Sequence, residues 1–140
     1  MILALESSCD ETAAAVLSPP SKLLSSIVSS QAKEHEPYGG VVPELASRNH
    51  LVLLRPTVEK ALASAKVTFD KIEAFAATSG PGLSSSLLIG NTAAKALSLS
   101  SQKPFIAINH MEGHLCSPFL DIEIKPHIGL IVSGGHTLLV

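Results

Sequence analysis

Two histidines four residues apart, His110 and His114, are the side chains whose spacing most directly suggests chemistry. On a helix this spacing places both imidazoles on one face, close enough to share a metal ion. Imidazole binds zinc, iron, copper and nickel, and a catalytic centre needs a further ligand and an open position. The sequence shows no obvious third ligand, and a surface pair without a metal has the same spacing. Glu112 would point elsewhere on the helix.

An acidic segment near the start of the chain is the second candidate. Asp10 and Glu11 are adjacent carboxylates within the polar segment 6–12, which follows an apolar run. Carboxylates in such a loop can order a cation, act as a base or orient another group. A solvated polar turn fits the same residues.

Two glycine-containing segments could bind an anion. A predicted strand at residues 128–132 leads into Ser133, Gly134 and Gly135, whose backbone N–H groups could cradle a phosphate. A tight hairpin turn requires glycines at the same place. Residues 80–82, Gly-Pro-Gly, precede a predicted helix whose N-terminal end favours an anion, although a simple strand-to-helix turn explains them too.

The elements that must position these residues follow from the pattern of apolar residues and turn formers. Apolar runs at 2–5, 13–17 and 24–30, separated by a polar loop and by Pro-Pro, predict three antiparallel strands in a meander. Pro43 suits the first turn of a long helix that reaches about residue 66, with Pro56 inside it. One apolar stripe of that helix comprises Leu51, Leu54, Val58, Leu62 and Ala65.

The second half of the chain alternates strands and helices. Residues 74–78 form a nearly continuous apolar run, typical of a strand buried on both faces. A helix at 83–99, rich in small residues, and a strand at 105–108 follow, and this order predicts parallel pairing through a right-handed crossover. Residues 128–132 and 136–140 predict a further pair of strands around a tight turn at 133–135.

Composition indicates a globular chain. Its 140 residues are 46% hydrophobic, no apolar run approaches the roughly 20 residues of a membrane span, and the N-terminus does not resemble a signal peptide. We therefore expect a cytoplasmic protein that does not enter a membrane. The two cysteines, Cys9 and Cys116, have no CxxC spacing and are expected to be reduced and buried. His35, His50 and His127 are isolated and are interpreted as surface or loop residues.

Charge gives no information on nucleic acid. A formal net charge of −2 provides no broad attraction for a polyanion, so any contact with RNA must be local or supplied by another protein or region.

Five segments in order resemble one family, the synthases called TsaD in bacteria and formerly the O-sialoglycoprotein endopeptidase family. The resemblance covers the whole chain. The segments are 6–12 (ESSCDET), 39–48 (GGVVPELASR), 80–83 (GPGL), 110–114 (HMEGH) and 132–137 (VSGGHT). Many family members have Gly-Ile where this chain has Ala4 and Leu5, a change that a buried strand accommodates.

The resemblance implies an α/β fold of the actin-like, ribonuclease H-like superfamily (ASKHA). We expect an N-terminal lobe at residues 1–125, with a mixed sheet flanked by helices. Residues 126–140 would be the first strands of a truncated second lobe. On this expectation the chain is an N-terminal fragment that is inactive alone.

The implied reaction transfers a threonylcarbamoyl group from threonylcarbamoyl-adenylate to N6 of adenosine 37 in tRNAs that read codons beginning with A. The products are t6A and AMP. The implied cofactor is one divalent metal ion per subunit, iron or zinc, and the ligand is an adenine nucleotide or the adenylate. Implied partners are tRNA, a TsaB-like paralogue and a TsaE-like small ATPase. A dimer through the helix around residues 51–62 is a further hypothesis.

The resemblance also assigns roles to residues. His110 and His114 match the metal-binding pair, and the third protein ligand of the family is an Asp near the C-terminus that this chain does not contain. Asp10 and Glu11 match the acidic first loop and are given a catalytic or positioning role. The segment that contacts the adenylate is matched by Ile131, Val132, Ser133, Gly134 and Gly135.

Two other functions remain as alternatives. A zinc metalloprotease would place Glu directly after the first His, where this chain has Met111. A non-catalytic actin-like partner module would share the fold, but the inert paralogue of the family lacks the segment that contains both histidines.

Overall fold

A five-stranded mixed sheet forms the centre of the molecule. A computed structural model describes residues 1–120, 122, 125–132 and 137–140. The strand order is β3-β2-β1-β4-β5. The strands are β1 (Ile2–Glu6), β2 (Glu11–Ser18), β3 (Lys22–Ser30), β4 (Ala74–Gly80) and β5 (Phe105–Asn109).

The first three strands form the predicted antiparallel meander. Leu5 pairs with Ala14 across β1 and β2, and Ala14 pairs with Ile27 across β2 and β3. Side chains alternate between buried and partly exposed along β1 and β2, so one face of these strands turns towards the core.

The other half of the sheet is parallel, as the order of elements predicts. Strand β4 pairs with β1 on one side and with β5 on the other, both in the parallel sense. Residues 74–78 are all buried, and helix residues 84–101 pack on this strand. The carboxyl ends of β1, β4 and β5 therefore lie along the same edge of the sheet.

Among the described residues, four α-helices connect or follow the strands. They are α1 (Ala32–His35), α2 (Pro43–Ala65), α3 (Ser84–Ser101) and α4 (His110–Cys116). The short α1 is not predicted by the sequence pattern. Helices α2 and α3 end at Lys66 and Gln102, both in the left-handed conformation that commonly terminates a helix. No helix among the described residues is long and apolar enough to cross a membrane.

The predicted apolar stripe of α2 packs against the core except at its first member. Leu54 is buried, Val58, Leu62 and Ala65 are partly buried against the core, and Leu51 is 66% exposed. The face that packs on β2 and β3 also carries polar residues, and its buried residues are Ala46, His50, Leu54, Thr57 and Ala61. Small side chains and hydrogen-bonded polar side chains occupy it, because the helix lies close to the sheet.

Helix α3 approaches the sheet through a stripe of small residues, as its composition predicts. Gly90 is the closest point, since a Cβ atom there would lie 2.5 Å from Ser7 Oγ. The Gly90 N–H donates to Ser7 Oγ at 3.0 Å, and Ser7 Oγ donates to the Ser86 carbonyl at 2.8 Å. Glycine at this position thus allows α3 to bond directly to the loop that follows β1.

A separate two-stranded sheet lies at the end of the chain. Strands β6 (Leu130–Val132) and β7 (Thr137–Leu139) pair with each other in the antiparallel sense, as predicted. The predicted turn at residues 133–135 lies outside the described residues. The division into lobes at residues 1–125 and 126–140 stays a prediction.

Candidate metal and catalytic site

A cavity of about 390 Å³ lies at the carboxyl edge of the three parallel strands. Ligand sites of open α/β sheets occur at this edge. The cavity brings both histidines of the predicted metal pair together with the acidic segment. Its lining comprises Glu6, Ser8, Cys9, Asp10, Glu11, Thr78, Ile108, Asn109, His110, Gly113 and His114.

The histidine pair is positioned by the junction of β5 with α4. Asn109, the last residue of β5, is also the N-cap of α4, and its side-chain oxygen accepts hydrogen bonds from the N–H groups of Met111 and Glu112. Asparagine is a favoured N-cap because it satisfies N–H groups that the first helical turn leaves unpaired. The helix therefore begins at the edge of the sheet, with His110 and His114 on adjacent turns facing the cavity.

The two imidazoles have a geometry that suits a shared metal ion. Their Nε2 atoms are 3.1 Å apart, and the ring planes meet edge to face at 82°. Two imidazole nitrogens bound to one tetrahedral zinc at about 2.0–2.1 Å would be about 3.3 Å apart. The observed separation, which is also that of a hydrogen bond between the two rings, is close to that value, so the spacing of the pair agrees with the predicted metal site.

The other nitrogen of His110 faces the loop after β1. Ser8 Oγ lies 3.2 Å from His110 Nδ1, and the Glu6 carboxylate lies 3.7 Å from the same nitrogen. A hydrogen-bond acceptor at the second ring nitrogen fixes the orientation of a metal-binding histidine and increases its basicity. Glu6 and Ser8 therefore orient His110 so that Nε2 points towards His114.

Glu6 is itself held on both carboxylate oxygens. The hydroxyl of Thr78, near the end of β4, donates to Oε2, and the backbone N–H of Ser8 donates to Oε1. The carboxylate thus connects β1, β4 and α4 at one point.

Sequence reasoning missed Glu6, Ser8, Thr78 and Asn109 as individual site residues. A usable signal was present, because Glu6, Thr78 and Asn109 each stand at or near the carboxyl end of a predicted strand. Ends of parallel strands converge, so polar side chains at those positions were candidates.

The predicted acidic pair also lies at the cavity. Asp10 is half-buried and Glu11 is exposed, and both line the cavity that the histidines face. Within the described ranges, however, no group of three or more His, Cys, Asp and Glu side chains is placed to hold a metal ion together. The described residues bring two imidazoles and two acidic side chains to one cavity, and the metal-binding role of the histidines stays a prediction.

The prediction that both cysteines are buried is wrong. Cys9 and Cys116 are free and exposed, because Cys9 lies in the polar loop at the mouth of the cavity and Cys116 at the end of α4. Partial burial and the neighbouring Asp10 raise the pKa of the Cys9 thiol above its usual value. The thiol therefore stays protonated at neutral pH, and this disfavours a role as nucleophile.

Two of the three isolated histidines are also not where the sequence suggests. His35 and His50 are buried, whereas His127 is exposed as expected. His50 lies on the face of α2 that packs against the sheet, where its ring is completely enclosed. Spacing alone does not identify that face, because polar residues occupy it.

The Gly-Pro-Gly segment packs closely against the acidic loop. The N–H of Leu83 donates to the Ser8 carbonyl at 2.7 Å, and a Cβ atom at Gly82 would lie 2.7 Å from that same oxygen. The segment does not line the cavity with the histidines. Its close contact with the loop explains the glycine at position 82 without a bound anion.

The predicted adenylate segment is only partly described. Ile131 and Val132 belong to β6, and neither lines the cavity. Ser133, Gly134 and Gly135 lie outside the described residues. The structure thus unites the histidine pair with the acidic pair and leaves the adenylate segment as a prediction.

Comparison with known proteins places these features in one family. A sequence model of the family described as "TsaD: tRNA N6-adenosine threonylcarbamoyltransferase" matches residues 22–140. The chain is 53% identical to a protein of that name from Syntrophobacter fumaroxidans, over 99% of this chain and 42% of the relative. It is 51% identical to the protein of that name from Pelobacter propionicus, over 99% of this chain and 41% of the relative. The chain thus spans well under half the length of these curated relatives.

Solved structures identify the fold. YeaZ from Pseudomonas aeruginosa matches with a TM-score of 0.63 and 18% sequence identity, over 99% of this chain and 63% of that one. A second structure, described as similar to peptidase YeaZ from the same organism, matches with a TM-score of 0.61 at 19% identity, over 99% of this chain and 62% of that one. The likeness confirms the predicted fold class, an α/β fold with a mixed sheet flanked by helices.

Proposed function

The chain belongs to the TsaD family of tRNA N6-adenosine threonylcarbamoyltransferases, and from this premise we propose that its cavity is part of a threonylcarbamoyl-transfer site. The donor is threonylcarbamoyl-adenylate, and the acceptor is N6 of adenosine 37 in tRNAs that read codons beginning with A. The amine attacks the carbamoyl carbon, the bond from that carbon to the phosphate oxygen breaks, and AMP leaves.

One observation carries this proposal. The histidine pair and the acidic loop are about 100 residues apart in sequence, and both line the same cavity at the carboxyl edge of the sheet. The reaction needs a site that stabilises negative charge on a carbonyl oxygen and also handles an amine proton. A cavity with metal-binding nitrogens on one wall and carboxylates on the other supports both requirements.

The histidine pair and the acidic pair have different roles in this proposal. His110 and His114 hold a divalent ion, iron or zinc, and the third ligand is expected from an Asp outside this chain. When bound, the ion supplies Lewis-acid polarisation of the carbamoyl carbonyl. Asp10 and Glu11 position the amine or accept its proton, because both carboxylates line the cavity that the histidine pair faces.

The resemblance to the family also suggests where the adenylate binds. We assign its phosphate to the backbone N–H groups of residues 131–135, since a segment with two adjacent glycines can offer several N–H groups to one anion. This assignment rests on the resemblance to the family. In the same way we assign residues 126–140 to the start of a second lobe.

Partners follow from surface properties and from the resemblance. A net charge of −2 does not attract tRNA broadly, so other regions or other proteins must supply much of the RNA surface. An apolar groove of about 710 Å³ runs between α2 and α3, where Leu51 and Leu88 are 66% and 63% exposed. Contiguous exposed apolar surface marks interaction sites. We propose that a TsaB-like paralogue docks there, that a TsaE-like ATPase completes the complex, and that the complex is cytoplasmic.

A protease is disfavoured by the site. Glu112 is exposed on α4 and does not line the cavity, so it is not placed to act on a metal-bound water. Met111 occupies the position directly after His110, where a zinc protease of the His-Glu-x-x-His type needs its glutamate.

The decisive experiment uses the whole natural polypeptide that contains this chain, with its partner proteins, threonylcarbamoyl-adenylate and tRNA. His110→Ala and His114→Ala are compared with His127→Ala, which removes an exposed histidine outside the cavity. We expect both cavity variants to lose bound metal and t6A formation together, while His127→Ala keeps both.

Three outcomes would contradict the proposal or part of it. Full transfer by metal-free cavity variants would exclude a role of the ion in transfer. Absence of transfer by the wild-type complex would favour a non-catalytic partner module. Turnover by the 140-residue chain alone would contradict the expectation that this part is inactive by itself.

A further inference from the structure

A buried polar cluster lies directly behind the acidic loop. The loop joins β1 to β2 and carries Asp10 at the cavity. On its inner side, His50 from α2 and Gln31 from the end of β3 are both completely buried. Neither side chain lines the cavity, and the mechanism above uses neither.

His50 bonds the loop backbone directly. Its Nε2 atom lies 3.0 Å from the carbonyl oxygen of Cys9. A carbonyl oxygen only accepts hydrogen bonds, so Nε2 carries the proton and donates it. Nδ1 is then an acceptor in the neutral ring, and the Thr12 hydroxyl and the Gln31 amide donate to it at 2.7 Å and 3.3 Å. Every polar atom of the enclosed ring has a partner.

The orientation of this cluster is determined by its other members. The Asn49 amide donates to Gln31 Oε1 at 3.1 Å, so the opposite end of the Gln31 side chain must be its NH₂ group. That NH₂ group donates to the Ala46 carbonyl at 3.4 Å as well as to His50. Hydrogen bonds therefore run in one direction, from Asn49 through Gln31 and His50 to the Cys9 carbonyl.

Gln31 also holds the next residue of the loop. Its backbone N–H donates to the Asp10 carbonyl at 3.1 Å. Two successive carbonyls, those of Cys9 and Asp10, are thus bound from the buried side. The peptide units that determine where the Asp10 and Glu11 side chains point are fixed by these two bonds.

We propose that His50 is a positioning residue for the acidic loop. It sets the Cys9–Asp10 peptide so that the two carboxylates reach the cavity that the histidine pair faces. A buried polar cluster of this kind contributes little net stability compared with apolar packing, but it specifies one arrangement of the groups it binds. The functional part of this inference rests on the proposed transfer reaction.

Two substitutions of His50 distinguish a role in positioning the loop from a role as a buried side chain only. The amide nitrogen of glutamine can take the place of His Nε2, so His50→Gln retains a donor to the Cys9 carbonyl. The shorter asparagine reaches only the position of Nδ1, so His50→Asn leaves that carbonyl without its donor. Thr57→Val is the matched control, because Thr57 is a buried, hydrogen-bonded residue of α2 that bonds Ser29 and the Leu53 carbonyl and is remote from the loop.

Transfer kinetics of the whole natural polypeptide in its complex provide the first readout, with rates normalised to bound metal. We expect His50→Asn to lower kcat by about 10-fold to 100-fold, since misplacement of reacting groups by about 1 Å can cost 100-fold. KM should change by less than about threefold. His50→Gln should recover most of kcat, and Thr57→Val should keep kcat even if its melting temperature falls. Equal kcat in His50→Asn and His50→Gln would overturn the inference.

Amide hydrogen exchange provides a second readout that does not depend on the reaction. Residues 9–11 should exchange faster in His50→Asn than in the wild type or in His50→Gln, while β4 stays unchanged. If residues 9–11 exchange in His50→Asn as they do in the wild type, the inference is overturned, even if kcat falls in that variant. If the wild type shows no transfer but the loop responds as expected, the proposed function fails and the structural role of His50 stands.

Discussion

Glu6→Gln tests whether the loop after β1 tunes the histidine pair. The substitution removes the negative charge that lies 3.7 Å from His110 Nδ1. Glutamine keeps one side-chain oxygen for the Thr78 hydroxyl, so the connection between β1 and β4 can persist, but its NH₂ group replaces the oxygen that accepts from the Ser8 N–H. The change therefore removes the charge beside His110 together with one acceptor of the loop backbone.

The expected magnitude follows from the distance and the exposure. Two unit charges at this distance interact by about 1 kcal/mol in water and about 4 kcal/mol at an effective dielectric constant of 20. The side chains of His110 and Glu6 are 31% and 33% exposed, so water screens the interaction. A metal-bound ring also carries only part of the positive charge of the ion. The interaction energy therefore lies in the lower half of the range between these two values. Loss of a partner behind a metal ligand typically weakens metal affinity about 10-fold to 100-fold. We expect about tenfold, because Ser8 Oγ still lies 3.2 Å from the same nitrogen.

The assay is competition for zinc between the whole natural polypeptide and a chelating indicator at fixed pH. Glu112→Gln is the matched control, since it removes one negative charge from the helix that carries both histidines, at a position outside the cavity. Its zinc affinity should change by less than about twofold. An affinity of Glu6→Gln within twofold of the wild type would refute the argument, and equal weakening in both variants would attribute the effect to net charge.

Three further predictions follow from packing and exposure. Gly90→Ala should lower the free energy of unfolding by about 1–3 kcal/mol, because its Cβ would lie 2.5 Å from a hydroxyl oxygen of the loop after β1. Gly40→Ala, which meets nothing within 4 Å, is the control in a denaturant titration, and equal stability of the two variants would contradict the prediction. Asp10→Asn should speed alkylation of Cys9 at pH 8, because Asp10 helps to raise the pKa of that thiol. The rate is measured by mass spectrometry of peptides, and an unchanged rate would contradict the prediction. Leu51→Glu should abolish binding of the proposed TsaB-like paralogue, measured by sedimentation, and should not lower the melting temperature because Leu51 is exposed. Retained binding would show that the groove is not the docking surface.

Local pattern was sufficient for the long helices and the strands of the central sheet. The meander, the long helix from Pro43, the buried strand at 74–78 and the parallel pairing of β4 with β5 are confirmed. Each rests on properties of neighbouring residues, such as an apolar run, a proline at the first helical turn or a cluster of turn formers. The short helix α1 was missed, because four residues are too few to show a periodic pattern.

Burial of individual polar residues was not predictable in this way. His50 was expected at the surface and is completely buried, while Cys9 was expected in the core and is exposed. The usual preferences of residue types fail at both positions. His50 is enclosed because Thr12, Gln31 and the Cys9 carbonyl satisfy its ring, and these partners come from two other parts of the chain, residues 9–12 and residue 31.

The amino-acid sequence by itself determined the order and type of the elements, the spacing of His110 and His114, and the family to which their segment belongs. These features depend on residues close together in the chain. Only the tertiary structure decided that Glu6 and Ser8, more than 100 residues away, lie against His110. That contact requires β4 to lie between β1 and β5, so that the carboxyl ends of all three strands meet. Strand order depends on long-range packing, and no local pattern specifies it.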